Sequence, residues 1–179
     1  MRNAISDDLP GSRNIGGAAP SERRPSEIAA SFLSAVCTGD LPRVHHLALQ
    51  HRWLLETDLG ASPILLALRH RRRAVANVLA FLGMKLNILE AAALGHEKRV
   101  REWAGFHAAT VHQRDVHGWT ALHHASLHGH AGVVRTLLEA GADPNATIPG
   151  SATRALELAS NPKIAARLKN ASARVRVAA

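Results

Sequence analysis

Short blocks of apolar residues alternate with polar turns along most of the chain, and within each block the apolar positions follow the 3.6-residue period of an α-helix. Each block reads as a short helix, a tight turn and a second helix, followed by a loop. Five blocks align on an alanine near the end of the first helix: FLSAVCTGDLPRV, ILLALRHRRRAVANVL, ILEAAALGHEKRV, LHHASLHGHAGVVRTLL and LELASNPKIAARL.

The aligned alanines give the period of this repeat. They are Ala35, Ala67, Ala91, Ala125 and Ala159, so the steps are 32, 24, 34 and 34 residues. A deletion between Gly83 and Asn87 accounts for the short step. One such unit is too small to bury a core, whereas stacked units bury a continuous one. The pattern therefore predicts an all-α fold, an α-solenoid of about five stacked helix-turn-helix units. Short β-hairpin tips on the loops between the units are compatible with this fold.

The ends of the chain differ from this pattern. Residues 1–25 are rich in Pro, Gly, Ser and Arg without a hydrophobic period, which predicts a disordered N-terminal tail. Ser26 is the expected N-cap of the first helix. The repeat domain is expected over residues 26–170, and residues 171–179 are expected to form a flexible C-terminal tail. The expected unit boundaries are about 26–59, 60–85, 86–117, 118–150 and 151–170.

Charge and cysteine content indicate which partners and which cellular compartment suit the protein. The formal net charge is +8, and a positive surplus favours acidic proteins, nucleic acid or anionic lipid as partners. The preference for Arg over Lys is also what a GC-rich genome would produce. Cys37 is the single cysteine, which fits a reducing compartment. No apolar run approaches the roughly 20 residues that span a bilayer. A cytoplasmic location is the expectation.

The fourth unit is the most regular. Residues 115–145 read DVHGWTALHHASLHGHAGVVRTLLEAGADPN, which strongly resembles the ankyrin repeat. It departs from the family pattern at Ala121, where the family prefers proline. The other units match less well, and in the second one Arg71 stands where the turn glycine is expected. The matching positions taken as structural are Gly118, Thr120, Leu122, His123, Ala125, Gly129, His130, Gly141, Asp143 and Asn145.

Most of these positions have a physical reason. Gly118 permits the positive φ of a tight hairpin turn, and Gly129 and Gly141 fit left-handed helix ends. Thr120 can cap the first helix of the unit, and Ala125 is small where two helices approach closely. The resemblance implies that the histidines at positions 123 and 130 are structural, the first joining neighbouring units by hydrogen bonds near the helix start.

The resemblance also implies where a partner would bind, because ankyrin proteins generally contact partners through hairpin tips and the exposed face of the first helix. The expected partner is a protein, and the charge makes an acidic one attractive. The expected contact residues are Trp119, His117, Leu127, His128, Arg69 and His70, and the equivalent positions in other units are Ala93, Leu94, Cys37 and Thr38.

Metal binding and catalysis find little support in the sequence. His124 and His128 have the i, i+4 spacing that could place two imidazoles on one metal, but no third ligand completes a set. Glu90, Glu97 and Glu102 are interpreted as a solvated helix face. No cofactor and no enzymatic activity are expected, and a monomer is the default oligomeric state.

Two other functions stay open. A basic accessory protein could bind nucleic acid or an anionic surface through the run Arg69–Arg73, although no aromatic residues lie between these arginines to stack on bases. Alternatively, the protein is a bacterial effector delivered into a host cell. The expected function is a non-enzymatic protein-protein interaction module, an adaptor, scaffold or inhibitor.

Overall fold

The computed structural model describes residues 24–106 and 108–178. Within these residues the chain is mainly helical, and two isolated bridges, Arg114–Thr120 and Thr147–Arg154, are its only β-type pairings. Short 3-10 helices cover Arg52–Leu55 and Ala108–His112. The α-helices are α1 (Pro25–Thr38), α2 (Leu41–Gln50), α3 (Pro63–Arg69), α4 (Arg73–Phe81), α5 (Ile88–Leu94), α6 (Glu97–Phe106), α7 (Ala121–Leu127), α8 (Ala131–Glu139) and α9 (Pro162–Ala178).

The helices pack as successive pairs. Helix α1 packs on α2, α3 on α4, α5 on α6 and α7 on α8, and the first helices of neighbouring pairs also contact one another. The predicted all-α repeat is thus observed in four helix pairs. Within the described part of the chain no helix combines the length and hydropathy needed to cross a membrane.

The fifth block differs from the others, because residues 155–158 form turns where the first helix was expected. The second helix of the block, α9, begins at Pro162. The side chain of Asn161 accepts a hydrogen bond from Ile164 N at 2.9 Å and so caps this helix. Helix α9 continues to Ala178, beyond residue 170, where the C-terminal tail was expected to begin.

The start of the first helix corrects the sequence prediction. Ser26 was expected to be the N-cap, but α1 begins at Pro25 and Arg24 precedes it without a side-chain cap hydrogen bond. Proline suits the first helical position because its fixed φ is close to the helical value and its missing N–H would have no helical acceptor. The N-terminal tail was expected over residues 1–25, of which residues 1–23 lie outside the described part of the chain. Pro25 belongs to α1.

The turn inside each helix pair has the same backbone geometry. The residue five positions after each aligned alanine donates its N–H to the carbonyl of that alanine over 2.7–3.0 Å. These pairs are Asp40–Ala35, Arg72–Ala67, His96–Ala91 and His130–Ala125. The residue before each donor has a positive φ, and it is Gly39, Arg71, Gly95 and Gly129 in turn. Arg71 therefore adopts the glycine conformation, and α3 ends at Arg69 rather than running on.

The buried side chains form two clusters. The first joins α1–α4 and includes Ala93 and Leu94 of α5, and the second joins the rest of α5 to α6–α9. Ala93 and Leu94 are 0% and 7% exposed, so their prediction as surface contact positions was wrong. Helix α5 lies between the two clusters and packs on both α3 and α7, which leaves it little exposed surface.

Glu90 was also misassigned to a solvated face, since the residue is 6% exposed. One of its carboxylate oxygens accepts from Asn87 N at 2.8 Å, and the other accepts from the Ser62 hydroxyl at 2.6 Å. Asn87 in turn caps α5, and Ser62 caps α3 by accepting from Leu65 N. A single buried carboxylate thus joins the N-terminal ends of two neighbouring first helices.

Candidate protein-interaction groove

A groove of about 1310 Å³ lies between two loops and against the first helices of the second to fourth pairs. One wall is residues 55–62, here called loop 2, and the other is residues 114–119, here called loop 4. Residues of α3, the start of α5 and the end of α7 complete the lining. The groove is open to solvent.

The width of the groove follows from the short step in the repeat. Residues 51–62 join α2 to α3 and residues 107–120 join α6 to α7, but only residues 82–87 join α4 to α5. The third pair consequently lacks the projecting loop that its neighbours carry. Met84, Lys85 and Asn87 of this short connection line the groove between the two walls. The deletion seen in the sequence thus opens a gap between loop 2 and loop 4.

The groove brings together five of the six contact residues expected from the sequence: Arg69, His117, Trp119, Leu127 and His128. The sixth, His70, is exposed at the end of α3 but does not line the groove. The Arg69 guanidinium contacts the ring of His117 across the groove, which joins α3 to loop 4. The equivalent positions in α1 lie elsewhere, with Cys37 half-buried and Thr38 exposed.

Loop 4 is built around Asp115. One oxygen of its carboxylate accepts hydrogen bonds from His117 N at 2.8 Å and Trp119 N at 2.9 Å. Its backbone N–H donates to Trp119 O at 2.9 Å, and Gly118 has φ 78° at the tip. A Cβ at Gly118 would collide with the ring of Pro149 in the next loop. The loop is therefore rigidly shaped and packed against its neighbour.

His124 connects this loop to α7. Its Nε2 lies 3.1 Å from the second carboxylate oxygen of Asp115, and both side chains are largely buried. Burial by itself would raise the pKa of Asp115, but the hydrogen bonds from His124, Trp119 N and His117 N together lower it to about 2. Trp119 lies over His124, with ring centroids 5.3 Å apart. Trp119 is half-buried, and its ring packs within its own unit.

His123 joins the fourth unit to the fifth. Its Nδ1 lies 3.2 Å from Thr120 N and 2.8 Å from the Thr120 hydroxyl, and its Nε2 lies 3.3 Å from Thr153 O. Because a backbone N–H can only donate, Nδ1 is the acceptor and the ring proton is on Nε2. Burial lowers the pKa of His123, in keeping with a neutral ring.

His130 and His128 lie at the other end of α7. His130 Nε2 lies 3.1 Å from Ala93 O and so links the fourth unit to the third. Burial lowers the pKa of His130, partly offset by that hydrogen bond. Burial, with the charges of His124, His130 and Arg73, lowers the pKa of His128 to about 4. Both rings are therefore neutral near pH 7.

His124 and His128 have the spacing of a metal-binding pair, but the first ring already has a partner. His124 is committed to Asp115, and no group of three or more His, Cys, Asp or Glu side chains in the described residues is arranged to hold a metal ion. The remaining structural positions serve packing and turns. Leu122 and Ala125 are buried, Gly141 has φ 89°, and Asp143 accepts from Asn145 N at 2.8 Å.

Several residues of the groove were not predicted from the sequence. Val116 at the tip of loop 4 is 78% exposed, and Leu59, Leu65 and Leu66 line the opposite side half-buried. The variable position of Val116 beside His117 was a usable signal. Nothing in the sequence indicated that loop 2 lines the groove, because this depends on the gap left by the third pair.

The comparisons with known proteins agree with the geometry of the fourth helix pair. Residues 117–148 match the family model described as ankyrin repeat. No curated protein matches the chain. The matched residues comprise the tip of loop 4, α7, the left-handed turn at Gly129, α8 and the first part of the next loop. This match identifies the fourth unit of the chain as an ankyrin repeat.

Proposed function

We propose that the chain is a non-enzymatic protein-protein interaction module, an adaptor, scaffold or inhibitor, built as an α-solenoid of five units with an abbreviated fifth. The observation that carries this proposal is the convergence of Arg69, His117, Trp119, Leu127 and His128 on one groove. Ankyrin repeats typically bind proteins, and a partner would bind between loop 2 and loop 4, against the first helices.

The rigidity of the groove supports binding of a partner. Asp115 fixes loop 4 through two backbone N–H groups, and Glu90 fixes the bases of α3 and α5 against each other. A preformed surface loses little conformational entropy on association, so few contacts are needed for measurable affinity. Apolar side chains at the groove, Val116 and Leu127, are exposed in the free protein, and covering them adds to the affinity.

The test is a selection from a random peptide display library on the folded chain, counter-selected on a double variant, Val116→Ser/Leu127→Ser. Both side chains are exposed, so the double variant is expected to fold normally. The proposal expects peptides that bind the wild type and not the double variant. Phe81→Ser is the matched control, because Phe81 is 89% exposed and lies outside the groove.

Binding to the double variant and to Phe81→Ser distinguishes the possible outcomes. Retained binding to Phe81→Ser with loss in the double variant supports the groove. Peptides that bind all three proteins equally, or no selected peptides at all, would contradict it. Circular dichroism of each variant establishes that a lost interaction is not a lost fold.

Nucleic acid binding is a second candidate because Arg71, Arg72 and Arg73 are consecutive and exposed at the turn between α3 and α4. Phosphate contacts by such residues make affinity fall steeply with salt. Fluorescence anisotropy with a labelled single-stranded oligonucleotide at low and high salt tests this candidate. Salt-sensitive binding abolished by Arg71→Gly/Arg73→Ala favours it, and salt-independent weak binding rejects it.

A further inference from the structure

We propose, resting on the proposed function, that the groove binds an extended acidic segment of a partner protein, with carboxylates held at the α3–α4 turn and an apolar side chain held near loop 4. The partner class follows from the charges that line the groove, from a strained arginine at its edge and from the exposed apolar residues opposite.

Three cations of the groove have no acidic partner in the part of the chain that the structure describes. Arg71, Arg73 and Lys85 line the groove and are exposed, and none of them forms an ion pair within the described residues. Arg114, in contrast, is used structurally, since it donates to Gly118 O at 2.7 Å and Thr147 O at 2.8 Å. The two unpaired cations at the α3–α4 turn, Arg71 and Arg73, make an attractive site for carboxylates. Lys85 adds positive charge near the start of α5.

The carboxylates of the groove do not cancel this charge. Glu90 and Asp115 are engaged with Ser62, Asn87 and His124. The exposed carboxylates of the lining are on loop 2, Glu56 and Asp58, and Asp58 also accepts from Gly60 N. The negative groups are therefore on one wall, while the α3–α4 turn carries unopposed positive charge.

Arg71 provides an independent argument. It has φ 60° at a turn position where Gly39, Gly95 and Gly129 occupy the other units. The left-handed region is unfavourable for a residue with a Cβ, and strained backbone of this kind is concentrated at functional sites. A glycine at position 71 would relieve the strain but remove a cation from the groove. The presence of arginine at this position is explained if its charge is used in binding.

The apolar residues of the groove indicate that the partner segment also carries an apolar side chain. Val116 and Leu127 are exposed beside the half-buried Trp119 on the loop 4 side. In an extended segment successive side chains point in opposite directions. Such a segment can direct carboxylates toward Arg71 and Arg73 while an apolar side chain contacts Leu127.

Nucleic acid fits these features less well. Trp119 is the single aromatic ring of the Phe, Tyr or Trp type among the lining residues in the described part of the chain, and it already packs on His124. Stacking platforms for bases are therefore lacking, whereas the apolar positions suit a peptide side chain.

The experiment determines the amino-acid composition of the selected peptides. A display library with equal frequencies of acidic and basic residues is panned on the wild type and counter-selected on Val116→Ser/Leu127→Ser. We expect the groove-dependent peptides to be enriched in Asp and Glu and to carry a large apolar residue. The most enriched peptide, labelled with fluorescein, is then measured by anisotropy.

Matched variants locate the charge effect. Arg71→Gly is expected to weaken binding of the labelled peptide about tenfold, since it removes one charge-assisted contact, whereas Arg71→Lys keeps most of the affinity. Lys98→Gln, an exposed cation on α6 outside the groove, should leave it unchanged. Because glycine suits position 71, a loss of binding cannot be attributed to unfolding.

The possible failures differ from one another. Groove-dependent peptides without acidic enrichment, or an affinity indifferent to Arg71→Gly, overturn the acidic segment and leave the interaction module standing. The absence of any groove-dependent peptide overturns both proposals. Binding of a labelled single-stranded oligonucleotide that is lost in Arg71→Gly, without groove-dependent peptides, replaces the protein partner by nucleic acid.

Discussion

Arg71 and Gly129 occupy the same place in two different helix pairs, and both have a positive φ, 60° and 80° respectively. Each precedes a residue whose backbone N–H bonds to the aligned alanine five positions earlier. The hydrogen bonds of the turn therefore fix the backbone conformation, and they do so even where the side chain opposes it.

Arg71→Gly should consequently stabilise the protein. Removing a Cβ from the left-handed region relieves about 1 kcal/mol of strain. For a chain of this size that corresponds to a rise in Tm of about 3 °C. Thermal unfolding followed by circular dichroism measures the change, with Lys85→Ala as a control for loss of charge in the groove. An unchanged or lower Tm for Arg71→Gly would show that the arginine side chain makes a stabilising contact in the folded state.

Two glycines separate strain from steric collision. Gly95 and Gly141 have nearly equal φ values, 86° and 89°, but an added Cβ at Gly95 would lie 2.6 Å from His130 Nδ1, whereas the space around Gly141 is open. Gly141→Ala should cost about 1 kcal/mol from the backbone alone. Gly95→Ala should cost about 2–4 kcal/mol, because the collision adds to the strain. Urea unfolding of both variants checks the difference, and equal costs would mean that the His130 ring moves aside freely.

Asp115 should be the most important polar side chain of loop 4. Asp115→Ala removes the acceptor of two backbone N–H groups and the partner of His124, which should lower the free energy of unfolding by about 2–3 kcal/mol. Asp115→Asn should cost less, since its amide oxygen can still accept from the two N–H groups. Equal losses in the two variants would assign the stability to the charge rather than to the shape of the loop. Urea unfolding near pH 7 gives both values.

The same carboxylate predicts a pH dependence in acid. The pKa of Asp115 is lowered from 3.8 to about 2 in the folded chain, so the unfolded state binds its proton more readily. The corresponding stability is complete above pH 3.8 and disappears as the pH falls through about 2. Unfolding of the wild type and Asp115→Asn should therefore differ more at pH 5 than at pH 2. A difference that is constant over this range would contradict the lowered pKa.

His128 predicts a second dependence at milder pH. Its pKa falls from 6.5 to about 4 on folding, mainly through burial, so the unfolded state takes up the proton first. Stability is then lost as the pH decreases from 6.5 toward 4. His128→Gln should show a smaller decrease in Tm between pH 7 and pH 4 than the wild type. His45→Gln serves as the control, because His45 is exposed on α2.

Much of the backbone could be predicted from local sequence. The aligned alanines placed all four turns correctly, because helix periodicity and the turn residue are properties of a few neighbouring positions. The prediction failed at Ser26, where the proline one position earlier determined the start of α1. It also failed for the first helix of the fifth block, since periodicity alone does not decide whether a short helix forms.

The candidate site was predictable only in part. His117, Trp119, Leu127 and His128 could be assigned from the regular fourth unit, because its pattern separates structural positions from variable ones. Two features could not be predicted: the burial of Ala93 and the contact of Glu90 with Ser62 in the neighbouring unit. Both depend on how α3 and α5 approach each other.

The sequence by itself determined the repeat, its register and the positive charge at the α3–α4 turn, because these depend on residues close together in the chain. The tertiary structure alone decided that the short connection at residues 82–87 opens a groove between loop 2 and loop 4. It also decided which charges remain free, since Asp115 and Glu90 are engaged by residues of other elements. The groove and its net charge arise from segments that are far apart in the sequence. Local sequence patterns do not encode how closely such segments approach in the folded chain.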